Sequence, residues 1–202
     1  EYEKIILVCD DGQLASYATA LLRLKGYGNV YAMRWGMSGW NRKFAAGGWL
    51  SGLSGRYETQ LDTVTHEKPL PVAMPQLATG QTQGSAVADA RFAALFSEGT
   101  GSVLISADEV FANPSAYFVI NLERKDKYEN GHIPGAVRYK PDATLGFPGE
   151  MATIPAGKTV VVYCGTGHNS AFASAYLRLF GYDARTLKYG NKEIRKYRGL
   201  WE

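Results

Sequence analysis

Two copies of one strand, loop, helix and strand unit predict an α/β fold: a parallel sheet with helices on both faces, three layers deep, built from two repeats. Three observations carry this. Ile5-Ile6-Leu7-Val8-Cys9-Asp10-Asp11-Gly12-Gln13-Leu14-Ala15 matches Val160 to Ser170 position for position, keeping the cysteine and the glycine three residues on. The match runs through Ala20 to Tyr27 against Ala175 to Tyr182. After one skipped residue, Met33-Arg34-Trp35-Gly36 reads against Leu187-Lys188-Tyr189-Gly190. Finally, residues 103–202 alternate strand and helix patterns.

Residues 4–9 are short, continuous and apolar, the mark of a buried parallel strand. Over 13–25, Tyr17, Ala20, Leu21 and Leu24 recur at helical spacing, and Gly26 suits the left-handed stop. Val30 to Arg34 completes a strand-helix-strand crossover. From Trp35 to Gly55 glycines break every period, predicting turns and short helices packed by Trp35, Trp40 and Trp49. Leu61 to Gly84, with Pro69, Pro71 and Pro75, reads as a tether over a surface.

Ala86 to Phe96 predicts a helix with Val87, Ala90, Ala94 and Phe96 inward, closed by Gly99 and Gly101. Ser106 stands three residues before Glu109 in capping-box spacing. Ala116 to Leu122 is an apolar strand bounded by Asn113-Pro114. Val160 to Tyr163, Ala171 to Phe180 and Arg185 to Leu187 then repeat the first unit, followed by a helix near Lys192 to Tyr197. The organisation expected is residues 1–60 as the C-terminal half of a first unit, 61–84 as linker and 85–202 as a second, complete unit. Glu1 leads at once into a strand that the second copy reaches only after about 60 residues of its own, so the first copy reads as lacking its front half, with any export signal beyond view.

Composition is that of an ordinary globular chain: 202 residues, 46% hydrophobic and 20% charged. No apolar run has the length of a membrane span. The net charge of +3 is too small and dispersed to argue for nucleic acid, and Lys192, Arg195, Lys196 and Arg198 read as a solvated helix face. His66, His132 and His168 lie far apart in the chain, as do the two cysteines, so sequence spacing offers no metal site and no disulfide framework. Ala156-Gly157-Lys158-Thr159 ends like a phosphate-binding loop, but Ala152 stands where its first glycine belongs, and a strand follows instead of a helix.

The chemistry lies at Cys164. A strand ending on a thiol, then a glycine-punctuated loop opening a helix, puts that sulfur beside amides with no intrahelical partner and the positive end of the helix dipole. Cys164 is the expected nucleophile. Gly165 and Gly167 are expected to take positive φ and turn amides inward, and Thr166 to add a hydroxyl donor. His168, Asn169 and Ser170 complete the loop, His168 either holding an anion when protonated or capping the loop. Cys9, Gly12 and Gln13 form the corresponding second site, expected to be weaker because Asp10 and Asp11 oppose a thiolate and repel anionic donors.

Between the strands of the second unit lies Tyr128-Glu129-Asn130-Gly131-His132-Ile133-Pro134-Gly135-Ala136, and about 30 residues later the strand ending on Cys164 and its glycine loop. Together, in this order, they resemble the rhodanese superfamily of sulfurtransferases, as a complete domain over residues 103–202 and as a half domain over 4–44. The resemblance implies a five-stranded parallel sheet with the cysteine loop at the strands' C-terminal edge. It also implies a cysteine persulfide on Cys164, charged by a thiosulfate, mercaptopyruvate or polysulfide type donor and discharged to a thiol or cyanide acceptor, with no cofactor. His132 is expected to hold its turn by hydrogen bonds.

Departures from the family pattern matter. Its Asp-x-Arg is replaced by Asn121 and Glu123, and the arginine five residues after the cysteine is Asn169 here and Leu14 in the first copy. Thiosulfate itself is therefore in question, and the cell-cycle phosphatase relatives, which need a longer loop ending in arginine, are not matched. The other reading is a non-catalytic module of the same family that binds a partner protein or an oxyanion. By analogy with tandem members that handle environmental sulfur, an exported location is favoured over the cytoplasm; self-association is left open.

Overall fold

The computed structural model describes residues 2–141, 144–146 and 149–195. The first repeat opens with β1 (Ile5–Leu7), α1 (Gln13–Leu24) and β2 (Val30–Ala32), followed by α2 (Gly36–Trp40) and α3 (Arg42–Ala46). β1 and β2 pair in parallel, Ile6 opposite Tyr31, as a two-stranded sheet. The expectation of a buried first strand does not hold: Ile5, Ile6 and Val8 are exposed. The reason is that β1 pairs only with β2, whereas its counterpart in the second repeat is flanked on both sides.

The second repeat runs α4 (Gly84–Glu98), β3 (Leu104–Ile105), α5 (Ala107–Ala112), β4 (Phe118–Asn121), α6 (Lys125–Glu129), β5 (Val137–Arg138), β6 (Val160–Tyr163), α7 (His168–Leu179), β7 (Ala184–Leu187) and α8 (Asn191–Ile194). Its strands form one parallel five-stranded sheet in the order β3-β7-β6-β4-β5. β6 is the middle strand, and Cys164 follows its last residue, Tyr163. All of its residues and all of β4 are buried, as a parallel sheet covered on both faces demands.

The core divides by face. Phe118, Ile120, Val160, Val162 and Leu177 pack on one side of the sheet. Ile105, Val119, Val161, Tyr163 and Leu187 pack on the other. A further cluster joins the repeats, where Tyr17, Ala20 and Leu21 of α1 meet Ala171 and Ala175 of α7 and Phe92 and Leu95 of α4. The small side chains of α7 let the helices approach closely.

Local signals acted largely as expected. Ser106 and Glu109 form a complete capping box at α5. Gly26 takes φ 111 after α1. Several expectations need correction. α4 buries Phe92 and Leu95, and Phe96 is exposed, because the helix is turned toward the α1 and α7 seam. Leu24 is exposed just past that seam. Trp49 is fully buried against Tyr189 and Trp35, whereas Trp40 is exposed and packs nothing together. Lys192 is buried, so no solvated helix face forms there; Lys196, Tyr197 and Arg198 lie outside the described residues.

Residues 61–83 cross the second repeat without regular structure apart from one antiparallel bridge, Asp62 to His132. A second hold follows at Val72, whose N–H donates to Ala152 O at 2.8 Å. Among the described residues no helix is long and apolar enough to cross a membrane.

Candidate functional site

The geometry of both cysteine loops follows from one constraint. Each cysteine carbonyl accepts an N–H from the turn after the next strand: Met37 N to Cys9 O at 2.8 Å, and Asn191 N to Cys164 O at 2.9 Å. That turn passes so close that a Cβ on Gly36 would strike Cys9 O, and one on Gly190 would strike Cys164 O. The preceding residues, Trp35 at φ 65 and Tyr189 at φ 56, are the only described non-glycine residues at positive φ. The duplication read from the sequence is therefore repeated in backbone conformation, strain included.

Gly12 and Gly167 are the second matched pair, both left-handed at φ 88 and 83, each capping the helix after its cysteine. The loops face one another across them. The Gln13 side chain crosses to the second repeat, donating from Nε2 to Leu187 O (3.0 Å) and accepting at Oε1 from Tyr189 N (2.8 Å). His168 crosses the other way, its Nε2 on Asp11 O at 2.9 Å. Because a carbonyl only accepts, Nε2 carries the proton, and Nδ1 accepts from Thr166 Oγ1 at 2.8 Å. Burial holds the imidazole below its ordinary pKa, Arg34 also disfavouring its charge. His168 is thus a neutral clamp between repeats, and the alternative of a protonated anion binder lacks a free nitrogen.

The sulfurs differ in ways the sequence did not suggest. Cys164 is 4% exposed and packs in the apolar cluster with Ile120 and Leu177. Its thiol donates to Ser170 Oγ at 3.7 Å, and that hydroxyl is tied to Gly167 O (3.0 Å) and to Thr186 Oγ1 (2.6 Å). Among the described residues no backbone N–H donates to Cys164 Sγ, and Gly165 is not at positive φ. The inward-turned amides occur instead at Cys9, whose Sγ accepts from Gly12 N at 3.2 Å and Ala15 N at 3.3 Å. Cys9 is also the more exposed sulfur. The Asp11 carboxylate beside it accepts from the Cys9 thiol at 3.7 Å and from Gln13 N at 2.9 Å.

Around the Cys164 loop the sheet edge builds a cavity of about 180 Å3 walled by Gly165 and Thr166, by Glu123 and Lys127 beyond β4, and by Lys192 and Arg195 beyond β7. Its lining carries three cationic residues and one carboxyl. Burial pushes the Glu123 carboxyl above its usual range despite Arg195, Lys127 and the Asn191 amide that donates to it. Asn191 and Arg195 line this cavity, and among the described residues their Oδ1 and Nε atoms are buried without a hydrogen-bond partner. Asn169 points elsewhere: it is exposed and lines a cleft of about 440 Å3 between the repeats, with Arg23, Arg34 and His168. Sequence reasoning noted Glu123 only as a departure and missed Lys127; the signal available was their position past the C-terminal end of a strand beside the cysteine strand.

His132 holds its turn, as expected, through Nδ1 on Tyr128 O at 2.8 Å. Its Nε2 meets Val64 O at 3.0 Å from the tether. The tether brings Asp62 and His66 to the same place, so that donor atoms of Asp62, His66 and His132 lie within 4.8 Å of one another. Sequence spacing gave no hint of this cluster, because the tether alone brings its members together.

The sequence profile of the Rhodanese-like domain matches residues 1–43 and 75–197. No curated protein matches the chain. Among solved structures, a rhodanese-related protein from Thermoplasma volcanium is 22% identical, with 46% of this chain and 89% of that chain covered at a TM-score of 0.42. A protein from Lactobacillus plantarum is 24% identical, covering 46% and 81% at 0.40. A protein of unknown function from Rhodopseudomonas palustris, described as a possible tyrosine phosphatase, is 19% identical, covering 61% and 95% at 0.38. With the profile matched over both repeats, and the five-stranded parallel sheet and paired cysteine loops in place, the chain belongs to the rhodanese-like domain family.

Proposed function

We propose that the protein is a sulfurtransferase that carries sulfane sulfur on Cys164. Besides family membership, the observation behind this reading is the cavity, lined by Lys127, Lys192 and Arg195 and walled by the two residues that follow Cys164. The Cys164 thiolate attacks the outer sulfur of the donor; the donor's S–S or C–S bond breaks, and its remainder leaves with the electron pair. The resulting persulfide is then attacked at its outer sulfur by a thiol or cyanide, and the Cys164 thiolate is released. Lys127, Lys192 and Arg195 attract an anionic donor to the mouth. The thiol proton, held on Ser170, must leave first, so a step that opens or ionises this site precedes transfer.

A second reading rests on its own observation. Gly12 and Ala15 aim their amides at Cys9, which suits a thiolate or persulfide there. Intact mass separates the two. The chain is incubated with thiosulfate, 3-mercaptopyruvate or polysulfide and weighed, a gain of about 32 Da marking one added sulfur. Loss of the gain in Cys164→Ser with retention in Cys9→Ser supports transfer through Cys164; the reverse assigns it to Cys9. No gain with any donor favours the non-catalytic family module.

A further inference from the structure

The tether and the Gly-His-Ile-Pro-Gly turn meet in a way that hydrogen bonding alone leaves incomplete. His132 is fully buried, and both ring nitrogens face backbone carbonyls, Tyr128 O at 2.8 Å and Val64 O at 3.0 Å. A neutral imidazole has one N–H to give and carbonyls only accept, so one of these contacts brings two lone pairs together. A cation between them removes the conflict. Asp62 and His66 supply the rest of its shell: Asp62 Oδ2 stands 2.7 Å from His66 Nε2, and both residues converge with His132 inside 4.8 Å.

The surrounding bonds orient these donors as a metal shell requires. Tyr128 O takes the Nδ1 proton of His132 and leaves the Nε2 lone pair for the ion. Val64 N donates to Asp62 Oδ1 at 2.8 Å, which turns Oδ2 to His66 Nε2, and an ion there takes the place of the hydrogen bond between them. Backbone pairing fixes the separation, since Asp62 N donates to His132 O and His132 N to Asp62 O, each at 2.8 Å. Tyr128 Oη accepts from His66 N at 3.0 Å and holds the third ligand. Bonds of about 2.1 Å at tetrahedral angles place donors about 3.4 Å apart, a separation the cluster reaches with small side-chain movement.

We propose that Asp62, His66 and His132 form a site for a borderline divalent transition cation of the zinc class, with Val64 O or water completing the shell, and that the ion staples the tether to the second repeat. Two imidazoles and one carboxylate are donors that favour zinc or cobalt over magnesium or calcium. The partly exposed Asp62 and His66 leave an entry path.

The test is titration of the full chain with Co2+ and Zn2+, followed by calorimetry and visible absorption. Expected is one ion bound, tetrahedral cobalt bands without thiolate-to-cobalt charge transfer, and affinity reduced about tenfold or more in both His66→Ala and Asp62→Ala. A thiolate charge-transfer band would assign the ion to the cysteines and overturn the proposal. So would the absence of binding, or binding indifferent to both substitutions. Nitrogen-15 spectra showing both His132 nitrogens still protonated under saturating zinc would replace the ion with a buried imidazolium paired to Asp62.

Discussion

Gln13 and His168 hold the same position in the two repeats, and each side chain crosses to lie over the other repeat's loop glycine. Gln13 covers Gly167 and His168 covers Gly12, each so closely that a Cβ on the glycine would strike the side chain above it. The exchange is unequal. Gln13 serves two buried backbone groups, Leu187 O and Tyr189 N, whereas His168 serves one, Asp11 O.

Gln13→Ala should therefore destabilise the protein more than His168→Ala. Leaving two buried backbone groups unsatisfied costs about 2–4 kcal/mol, against about 1–2 kcal/mol for one. Urea unfolding of both variants checks the order. Equal losses would show that water replaces the Gln13 amide.

Gly190→Ala should be the most damaging of the loop glycine substitutions in the second repeat. Its Cβ meets the Cys164 carbonyl, whose position is set by the sheet, while a Cβ on Gly167 meets only the end of the Gln13 side chain. Both residues are left-handed. A loss of about 3 kcal/mol or more is expected for Gly190→Ala, with a smaller loss for Gly167→Ala. Thermal unfolding gives the comparison.

Glu193 should make stability fall as pH rises from about 4.5 to about 7. Burial pushes its carboxyl up to about 7 from an ordinary 4.5, although Ala107 N donates to it. A raised carboxyl favours the neutral form in the fold. Its contribution is complete below the ordinary value and is lost as pH rises through about 7. Glu193→Gln should flatten the melting temperature across that window, and an unchanged slope would count against this residue as its source.

Glu123→Gln should speed persulfide formation with an anionic donor, and do so more at higher pH. The buried carboxyl beside Gly165 gains its charge only above the usual carboxylate range, and once charged it opposes the donor. Below that transition the variant and the parent protein should react alike. Rate against pH for both proteins, followed by mass, tests this; a variant slower at every pH would make Glu123 an aid to the chemistry.

Much of this was legible because repeats carry their own proof. Met33 to Gly36 against Leu187 to Gly190 predicted equivalent turns, and Trp35 and Tyr189 share a backbone conformation rare outside glycine. Capping chemistry is local, so Ser106 and Glu109 could be paired by counting. What stayed hidden depends on distant partners. Nothing near Phe92 or Leu95 states that α4 turns toward a seam between two other helices. Cys9 and Cys164 sit in near-identical strings, yet one sulfur meets two amides and a carboxylate and the other a serine hydroxyl. Asp62, His66 and His132 are joined only by the tether's path.

That path also bears on what a protease could accomplish. Residues 81–85 are an exposed run, the natural place for a nick. Upstream of it the chain is fastened to the second repeat at His132 and Ala152, and α1 lies packed on α7. Severed there, the two pieces should travel through a sizing column as one particle and part only in denaturant.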